Sequence, residues 1–426
     1  MQTEDPDMTQ RDQERNLFRD AAYGLFIHFG LYAIPGGIWQ GRRAPHGSEW
    51  IMRNLEIPLA EYRKLADLFN PEKLSARWYV RKAKEWGMRY LVLTAKHHDG
   101  FALFDTAVSD YSIMNTPYGK DIIREFADAC AEERLPFGIY YSQMQDWEHP
   151  DGDGNHFDYK KEEKVFSRYF YEKALPQVKE LLTNYGDIFL MWFDTPYDMP
   201  LALCRELADT VHALQPRCLI NGRIGYGLGD YRQMADNSIP TLPYHGAWEV
   251  PMTLNSSWGY HRADLSCHTP ATVISKLVEV GSKGGNVLLN VSPDERGLIS
   301  ELSVRTLDEV GNWISRNGES IYGTVPAPVF PYVTRFGKVG AGRDGSLYLY
   351  VDHYPGFPHR ISLTGLVTRV RRAILLCDGT ELRVAQSYEL ARDEHRCYVF
   401  LPQTPPDTPV TVIKLELDGE ARAQTL

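Results

Sequence analysis

The sequence predicts an α/β fold in which a (β/α)8-like TIM barrel is followed by a C-terminal antiparallel β-sandwich. Short apolar runs alternate with amphipathic helical stretches over most of the 426 residues, which indicates repeated strand–helix units. The apolar runs show no polar alternation, as is typical of parallel strands buried on both faces. After Thr324 the chain changes to short runs of alternating polarity, which is typical of a sandwich.

Six apolar runs are the predicted barrel strands. They are short, rich in β-branched and aromatic residues, and separated by helical patterns. Their ranges are 23–30, 89–95, 137–142, 187–194, 218–222 and 286–292.

Helical patterns alternate with these runs. The first begins at Ser75, a favourable N-cap residue, and ends at Gly87, which suits a helix C-terminus. A doubly wound sheet is the competing architecture, but no GxGxxG motif follows the first strand, and the composition changes after the last helix. A barrel is therefore the favoured prediction. The helical patterns cover residues 75–87, 121–135, 163–186, 200–215, 270–283 and 301–318.

The sequence also predicts where the domains meet. The segment VPAPVFPYV is rich in proline and indicates a linker. We therefore predict a barrel domain over residues 1–325, a linker over 326–334 and a β-sandwich over 335–426. The alternating runs of the sandwich lie at 346–353, 359–366, 369–379, 381–390, 396–402 and 409–417.

Composition narrows the classes of function. The chain has 46 Lys+Arg against 56 Asp+Glu, a net charge of −10, and lacks basic runs, so nucleic-acid binding is not expected. No apolar stretch approaches the ~20 residues of a membrane span. The first twenty residues lack the apolar core of a signal peptide. We expect a cytoplasmic protein, although a mature form that had lost its signal would look the same. The sequence leaves a homo-oligomer open.

The predicted strand ends carry the chemistry. In a barrel of this type the active site lies at the C-terminal ends of the strands. Buried polar groups need partners, so a convergent polar set at these ends predicts a binding site. The polar and aromatic residues there are His28, His97, His98, Asp99, Tyr140, Tyr141, Trp192, Asp194, Arg223, Asp236 and Glu249.

Several of these residues have simpler interpretations. Asp194 ends the most apolar strand, where an ionised carboxylate is costly unless it is paired or functional, but it could instead cap the following helix. His28 and Trp192, each taken alone, are common core residues. The run His-His-Asp at 97–99 suggests a metal site, but an HxxxH or HExxH spacing is missing. We therefore expect neither a metal nor a cofactor.

Two carboxylates at different strand ends, with many aromatic and histidine side chains, favour glycoside hydrolysis. That chemistry needs one carboxyl group as nucleophile or base and another as proton donor. The adjacent Glu49 and Trp50 pair a carboxylate with an indole, a combination that suits sugar binding.

Motifs spread over residues 20–325 carry a resemblance to a known family. They are GLFIHFG at 24–30, GSEW at 47–50, KHHDGF at 96–101, YYS at 140–142, MWFD at 191–194, WE at 248–249, SWGY at 257–260, GGNVLLNV at 284–291 and NGESIYGT at 317–324. With these motifs in this order, the chain resembles glycoside hydrolase family 29, the α-L-fucosidases. The resemblance implies a barrel with a β-sandwich, and a retaining exo-glycosidase that acts on a fucosylated oligosaccharide or glycoconjugate.

The resemblance also implies roles for individual residues. Asp194 stands at the position of the family's nucleophile, which forms a covalent glycosyl-enzyme. Tyr141 could exchange roles with Tyr140, because the sequence does not fix which way the strand faces. The residues at positions that hold the fucose ring are His28, Glu49, Trp50, His97, His98, Tyr140, Trp192 and Arg223.

The sequence departs from the family pattern in two places. Thr195 and Pro196 follow the nucleophile, where glycine is common. Asp236 stands where many members have a glutamate, and its separation from the nucleophile, 236 − 194 = 42 residues, leaves room for one intervening strand. We predict Asp236 as the acid/base and Glu249 as the runner-up. The alternative role of Glu249 is to bind substrate on the aglycone side.

Three other functions stay open on the sequence. They are an exo-glycosidase for a related deoxy sugar, a catalytically silent sugar-binding protein and a metal-dependent hydrolase. The presence of both candidate carboxylates disfavours the silent protein. The fucosyl linkage and the aglycone depend on loop shapes, which the sequence does not determine.

Overall fold

The computed structural model describes residues 9–328 and 333–424. Eight strands form its main sheet, and all neighbouring pairs in that sheet are parallel. These strands are β1 (Tyr23–Ile27), β2 (Leu91–Lys96), β3 (Phe137–Tyr141), β4 (Leu190–Phe193), β5 (Leu219–Ile220), β6 (Arg232–Gln233), β7 (Trp248–Thr253) and β8 (Asn286–Val291).

The strands follow one another around the sheet in chain order. Strand β1 pairs with both β2 and β8, and β5 and β6 are the two outer strands. An isolated parallel bridge between Asn221 and Tyr231 joins the segments next to these outer strands. The ring therefore closes in the order β1 to β8, and the predicted (β/α)8-like barrel is confirmed.

Helices occupy most of the connections between the strands. Between β5 and β7, where every residue is described, the chain forms only the 3-10 turn Gly222–Ile224 and β6. None of the helices in the described ranges combines the length and apolarity that crossing a membrane requires. The longer helices are α1 (Gln10–Ala21), α2 (Ala76–Glu85), α3 (Ile122–Glu133), α4 (Leu175–Asn184), α5 (Leu201–Leu214), α6 (Pro270–Gly281) and α7 (Glu301–Asn317).

One predicted helix, at 163–186, is interrupted. A short helix and a π-helical turn at Phe170–Ala174 precede α4. Pro176, in the first turn of α4, has no N–H to donate to the preceding turn. The N–H of Leu175 donates to the carbonyl of Phe170, five residues back, in the pattern of a π-helix. The missing proline donor accounts for the π-helical turn within the helical run 166–184.

Three of these elements have no clear signal in the sequence. Strand β6 has only two residues, both polar, so it has no hydrophobic signal. Strand β7 contains Pro251, a residue that argues against a central strand. Helix α1 is mostly polar, and it contacts the barrel through a few side chains that include the buried Phe18. Residues 1–8 of this polar segment lie outside the described residues.

The strands separate an inner core from an outer one. Side chains from six strands meet inside the barrel in one cluster that includes Phe26, Tyr140 and Trp192. Tyr141 belongs to the outer cluster beneath the helices, and its hydroxyl donates to Gln177 of α4 at 2.8 Å. The sequence did not determine whether Tyr140 or Tyr141 faces inward, and in the structure Tyr140 faces into the barrel.

The chain after α7 forms two antiparallel sheets. Side chains from both sheets share one buried cluster, with Leu349 and Ile413 from the larger and Leu363 and Val399 from the smaller, so the predicted β-sandwich is confirmed. The larger sheet contains β9 (Val325–Pro326), β10 (Val333–Thr334), β11 (Gly337–Ala341), β12 (Leu347–Val351), β14 (Val370–Leu375), β15 (Glu381–Leu382) and β18 (Thr411–Leu417). The smaller contains β13 (Arg360–Thr364), β16 (Val384–Glu389) and β17 (Glu394–Phe400).

Both ends of the predicted linker pair with the sandwich. Strands β9 and β10 each lie against β11, and residues 329–332 between them lie outside the described residues. The sandwich also packs on the barrel domain, since Nε1 of Trp313 in α7 donates to the carbonyl of Val410 at 3.0 Å. The predicted domain boundaries stay a prediction.

Candidate active site

A cavity of about 210 Å³ lies at the C-terminal ends of the barrel strands, where this fold places its active sites. It brings together nine residues that the sequence predicts for the site. The lining residues are Phe26, His28, Glu49, Trp50, His97, His98, Trp192, Asp194, Thr195, Tyr197, Arg223, Asp236 and Trp258. A larger cavity, of about 650 Å³, lies at the opposite end of the barrel, among residues such as Leu135 and Ile188, and contains none of these side chains.

Asp194 is the most closely held carboxylate in this cavity. It follows the last residue of β4, and its backbone N–H donates to Oε1 of Gln143 at 2.7 Å. The hydroxyl of Tyr140 donates to Oδ2 at 2.9 Å, and Nη1 of Arg223 donates to Oδ1 at 2.7 Å. Burial disfavours the ionised form, but the charge of Arg223, the neighbouring His98 and the hydrogen bonds from Arg223 and Tyr140 together outweigh it, so the pKa of Asp194 lies below its usual range. The structure therefore holds this buried carboxylate ionised.

Arg223 links the two candidate catalytic carboxylates. It lies in the turn after β5, and its guanidinium is 4.8 Å from the ring centre of Trp192. While Nη1 binds Asp194, Nη2 binds Oδ1 of Asp236. Burial opposes the charge of Arg223, but the two carboxylates raise its pKa above the ordinary value. One cation therefore orients both acids toward the same space.

Asp236 lies at the entrance of the cavity, with 41% of its side chain exposed. Its loop follows β6 and is fastened to β7. The N–H of Met234 donates to the carbonyl of Glu249, and the N–H of Asn237 donates to that of Pro251, both at 2.9 Å. Asn237 adopts a left-handed backbone with φ of 56°, and its Oδ1 accepts from the N–H of Thr253 at 2.9 Å. These contacts hold Asp236 opposite Asp194.

Two histidines present acceptor nitrogens. The Nδ1 of His28 lies 2.7 Å from Oδ1 of Asn290, whose Nδ2 donates to the carbonyl of Trp258, so His28 donates from Nδ1. The Nδ1 of His98 lies 2.7 Å from Oγ of Ser142, which itself donates to a backbone carbonyl, so His98 also donates from Nδ1. In the neutral ring, Nε2 is then an acceptor.

Burial keeps these histidines neutral. It lowers the pKa of His28 to about 4 and that of His98 to about 3. Burial also lowers the pKa of His97 well below its usual value, and Nδ1 of His97 is buried without a hydrogen-bond partner among the described residues. The ring of His97 stacks on Tyr140, with centres 5.4 Å apart. Uncharged imidazoles suit hydroxyl groups better than they suit anions.

Glu49 is a second buried acid beside the cavity. Burial raises its pKa to about 7, although the N–H of Gly259 donates to Oε2 at 2.8 Å and Oγ of Ser257 lies 3.4 Å from the same oxygen. The neighbouring Trp50 ring meets His98 edge-on at 4.8 Å. This carboxyl group can either accept or donate a hydrogen bond near neutral pH.

Four of the strand-end residues named from the sequence do not line the cavity: Asp99, Tyr140, Tyr141 and Glu249. Glu249 lies at the start of β7, where it pairs with Asn286 at the start of β8, and this is the end of the barrel opposite the cavity. Its fully buried side chain accepts from Tyr90 and from Trp192. The expectation that Glu249 binds substrate or donates the proton does not agree with this position. Asp99 is buried and accepts from the hydroxyl of Tyr62 at 3.1 Å.

Several cavity residues were not singled out from the sequence. Trp258 lies in the SWGY motif, and its ring is 5.2 Å from that of His28. Tyr197 lies three residues after Asp194. It and Thr195, which the sequence marked only as a departure from the family pattern, have left-handed backbones, with φ of 30° and 43°, a strained geometry common at functional sites. The closeness of Thr195 and Tyr197 in sequence to the MWFD motif is the signal that could have identified them. In the described part of the chain, no three potential ligand side chains converge as at a metal site.

Comparison with known proteins gives one consistent family. A family model described as alpha-L-fucosidase matches residues 2–319. The chain is 28% identical to tissue alpha-L-fucosidase of Bos taurus over 91% of this chain and 85% of that protein. The crystal structure of alpha-L-fucosidase from Vibrio sp. strain EJY3 superposes with a TM-score of 0.91 at 32% identity, covering 97% of this chain and 74% of that one.

A further solved structure bears on the mechanism. It is a GH29 alpha-L-fucosidase from Bacteroides thetaiotaomicron, trapped as a covalent intermediate in complex with 2-fluoro-fucosyl fluoride. It superposes with a TM-score of 0.87 at 29% identity and covers 98% of both chains.

Proposed function

The chain belongs to the α-L-fucosidase family, and from this premise we propose that it removes terminal α-L-fucosyl residues from oligosaccharides or glycoconjugates. We propose Asp194 as the nucleophile and Asp236 as the acid/base. The observation that carries this assignment is the guanidinium of Arg223, which binds both carboxylates at the strand ends of one small cavity. Retaining glycosidases hold their two carboxyl groups roughly 5–5.5 Å apart, and binding to one guanidinium brings these two acids close together.

The first half of the reaction uses Asp194 as a carboxylate. Its oxygen attacks C1 of the fucosyl group while Asp236 donates a proton to the departing oxygen, and a glycosyl ester forms. The low pKa of Asp194 supports this role, because only the ionised form attacks. The exposure of Asp236 at the entrance supports its role as well, since the leaving group has to pass on that side.

The second half reverses the proton transfer. Asp236, now ionised, takes a proton from a water molecule. The oxygen of that water attacks C1, and the ester bond to Asp194 breaks. Two displacements at C1 return the α configuration. A covalent intermediate trapped in the Bacteroides thetaiotaomicron relative is consistent with this sequence of steps.

We assign the remaining cavity residues to the fucose ring. His28 and His98 offer neutral acceptor nitrogens to sugar hydroxyls, and Glu49 can accept or donate. Aromatic faces of the cavity suit the C–H groups and the methyl group of a deoxy sugar. Together with these, we propose Trp50, His97, Tyr140, Trp192, Arg223 and Trp258 as the residues of the fucose site.

Labelling with 2-fluoro-fucosyl fluoride tests the proposal directly. We expect the intact protein to gain one fluorofucosyl mass, and peptide mapping to locate the label on Asp194. The Asp194→Asn variant is the control and should take up no label. Proton NMR of the wild-type reaction on an aryl α-L-fucoside should show α-L-fucose as the first product. A label on another residue, or first release of β-L-fucose, would contradict the assignment.

A further inference from the structure

Glu249 lies beneath the proposed site and does not touch the cavity. Its carboxylate accepts from the hydroxyl of Tyr90 at 2.7 Å through Oε2, and from Nε1 of Trp192 at 2.9 Å through Oε1. All three side chains are almost completely buried. The ring of Tyr90 is itself fixed, because it lies so close to Gly24 that a Cβ there would come within 2.4 Å of Cζ.

The Trp192 ring in turn supports both groups that hold Asp194. Tyr140 stacks on it with ring centres 5.5 Å apart and planes inclined by 23°. The guanidinium of Arg223 lies 4.8 Å from its ring centre. Tyr140 and Arg223 donate to the two oxygens of the Asp194 carboxylate. An unbroken chain of contacts therefore runs from Glu249 through Trp192 to the nucleophile.

We infer that Glu249 is a positioning residue, whose hydrogen bond fixes the Trp192 indole so that Arg223 and Tyr140 hold Asp194 in its attacking orientation. The inference rests on the proposed function of Asp194. Glu249 acts here as an acceptor for two buried donors and takes no part in proton transfer. Its position at the start of β7 agrees with this, since the acid/base has to reach the leaving group at the other end of the barrel.

Two substitutions separate acceptor geometry from acid chemistry. In Glu249→Gln the amide oxygen can still accept from Nε1 of Trp192. The amide nitrogen then lies beside the Tyr90 hydroxyl and can donate to it, because a hydroxyl also accepts hydrogen bonds. Glu249→Leu has similar bulk but leaves both donors unpaired. We expect kcat/KM of Glu249→Gln to stay within about threefold of wild type. Glu249→Leu should lose about tenfold to a hundredfold, because small displacements of reacting groups carry such costs.

The pH dependence of kcat/KM distinguishes this role from a general loss of stability, which would not shift the acidic limb. The groups that face Asp194 are Arg223, Tyr140, His98 and, at longer range, His28. If Arg223 shifts, Asp194 loses its main stabilising charge, and its pKa rises while burial stays the same. The acidic limb of kcat/KM should then move to higher pH by about one unit in Glu249→Leu. It should not move in Glu249→Gln.

Tyr90→Phe is the matched control. It removes the other hydrogen bond to the same carboxylate but leaves the link to Trp192, so the acidic limb should keep its wild-type position. Folding of every variant is checked by circular dichroism and thermal unfolding. If Glu249→Leu does not fold, Trp192→Phe replaces it, because that variant keeps a ring but lacks the indole N–H, and the same shift of the acidic limb is expected.

Three outcomes would overturn the inference. One is an unchanged acidic limb in a folded Glu249→Leu or, failing that, in Trp192→Phe. The second is an equal loss in Glu249→Gln and Glu249→Leu, which would mean that the charge matters and not the hydrogen bond. The third is a loss in Glu249→Gln confined to poor leaving groups, which would mean proton transfer. Failure of the proposed function is distinguishable, because the wild type would then not hydrolyse fucosides or Asp194→Asn would keep its activity.

Discussion

The carboxylate of Asp194 accepts a 2.7 Å hydrogen bond from Nη1 of Arg223. These residues come from different strand ends, 29 positions apart in the chain, and meet only because β4 and β5 are neighbours in the barrel. The pairing explains how an acid in an apolar strand end stays ionised. It also connects the two proposed catalytic carboxylates, since Asp236 binds the same guanidinium.

Replacement of Asp194 should abolish turnover without unfolding the protein. We expect Asp194→Gly to lower kcat on an aryl α-L-fucoside by at least about a thousandfold, because no covalent intermediate can form. Added azide should restore part of the activity by occupying the vacated space and attacking C1. Activity above a tenth of wild type in the absence of azide would exclude Asp194 as the nucleophile.

Replacement of Asp236 should make the reaction depend on the leaving group. Asp236→Ala should be strongly impaired on a fucosyl oligosaccharide, whose sugar leaving group needs a proton, and much less impaired on an activated aryl fucoside. Azide should accelerate the aryl reaction, because it attacks the glycosyl-enzyme without help from a base. Equal losses on both substrates, with no effect of azide, would remove Asp236 from the role.

Arg223 should control the acidic limb of the pH profile. Burial raises the pKa of Asp194, and the charge of Arg223 is the largest of the contributions that lower it, so Arg223→Gln should raise the pKa of this carboxyl group. Less of the enzyme is then ionised at low pH, and the acidic limb of kcat/KM moves upward. We also expect a loss of about ten- to a hundredfold in kcat/KM, from the roughly 1.5–3 kcal/mol of a charged hydrogen bond. An acidic limb that stays at its wild-type pH would contradict this role.

Glu49 should couple the stability of the protein to pH. Its folded pKa is raised from 4.5 to about 7, so its contribution favours folding fully below about pH 4.5 and is lost as the pH rises through 7. Glu49→Gln cannot ionise and should therefore show a smaller fall in Tm between pH 5 and pH 8 than wild type. Glu61→Gln, at a half-exposed side chain, is the control and should match wild type. An identical fall in Tm with pH in Glu49→Gln and wild type would contradict the raised pKa of Glu49.

Replacement of Tyr197 should lower activity on fucosyl oligosaccharides more than on small aryl fucosides. It borders the cavity beside Asp194 but is 60% exposed, which places its ring where a leaving-group sugar passes. We expect Tyr197→Ala to lower kcat/KM for a fucosyl oligosaccharide several-fold, while the aryl fucoside changes little, because stacking on the leaving sugar is lost. Tyr171→Ala, a similarly exposed tyrosine outside the cavity, is the control. Equal effects on both substrates would place Tyr197 outside the leaving-group path.

The barrel, the sandwich and most of the cavity residues could be predicted from the sequence, because short-range patterns and family motifs mark them. Apolar runs marked six strands, and polar residues near the ends of four of them, His28, His98, Asp194 and Arg223, line the cavity. Strand β6 was not predicted, because its two polar residues carry no hydrophobic pattern. Its place in the sheet depends on pairing with the neighbouring strand β7.

The direction in which side chains face, and their position along a strand, became known only from the three-dimensional fold. Tyr140 and Tyr141 are indistinguishable in sequence, and pairing of Tyr140 with Trp192 decides that Tyr140 faces inward. Glu249 looked like a strand-end acid, but its pairing with Asn286 places it at the far end of the barrel. Register and facing arise from contacts between segments distant in the chain, and local residue patterns do not contain that information.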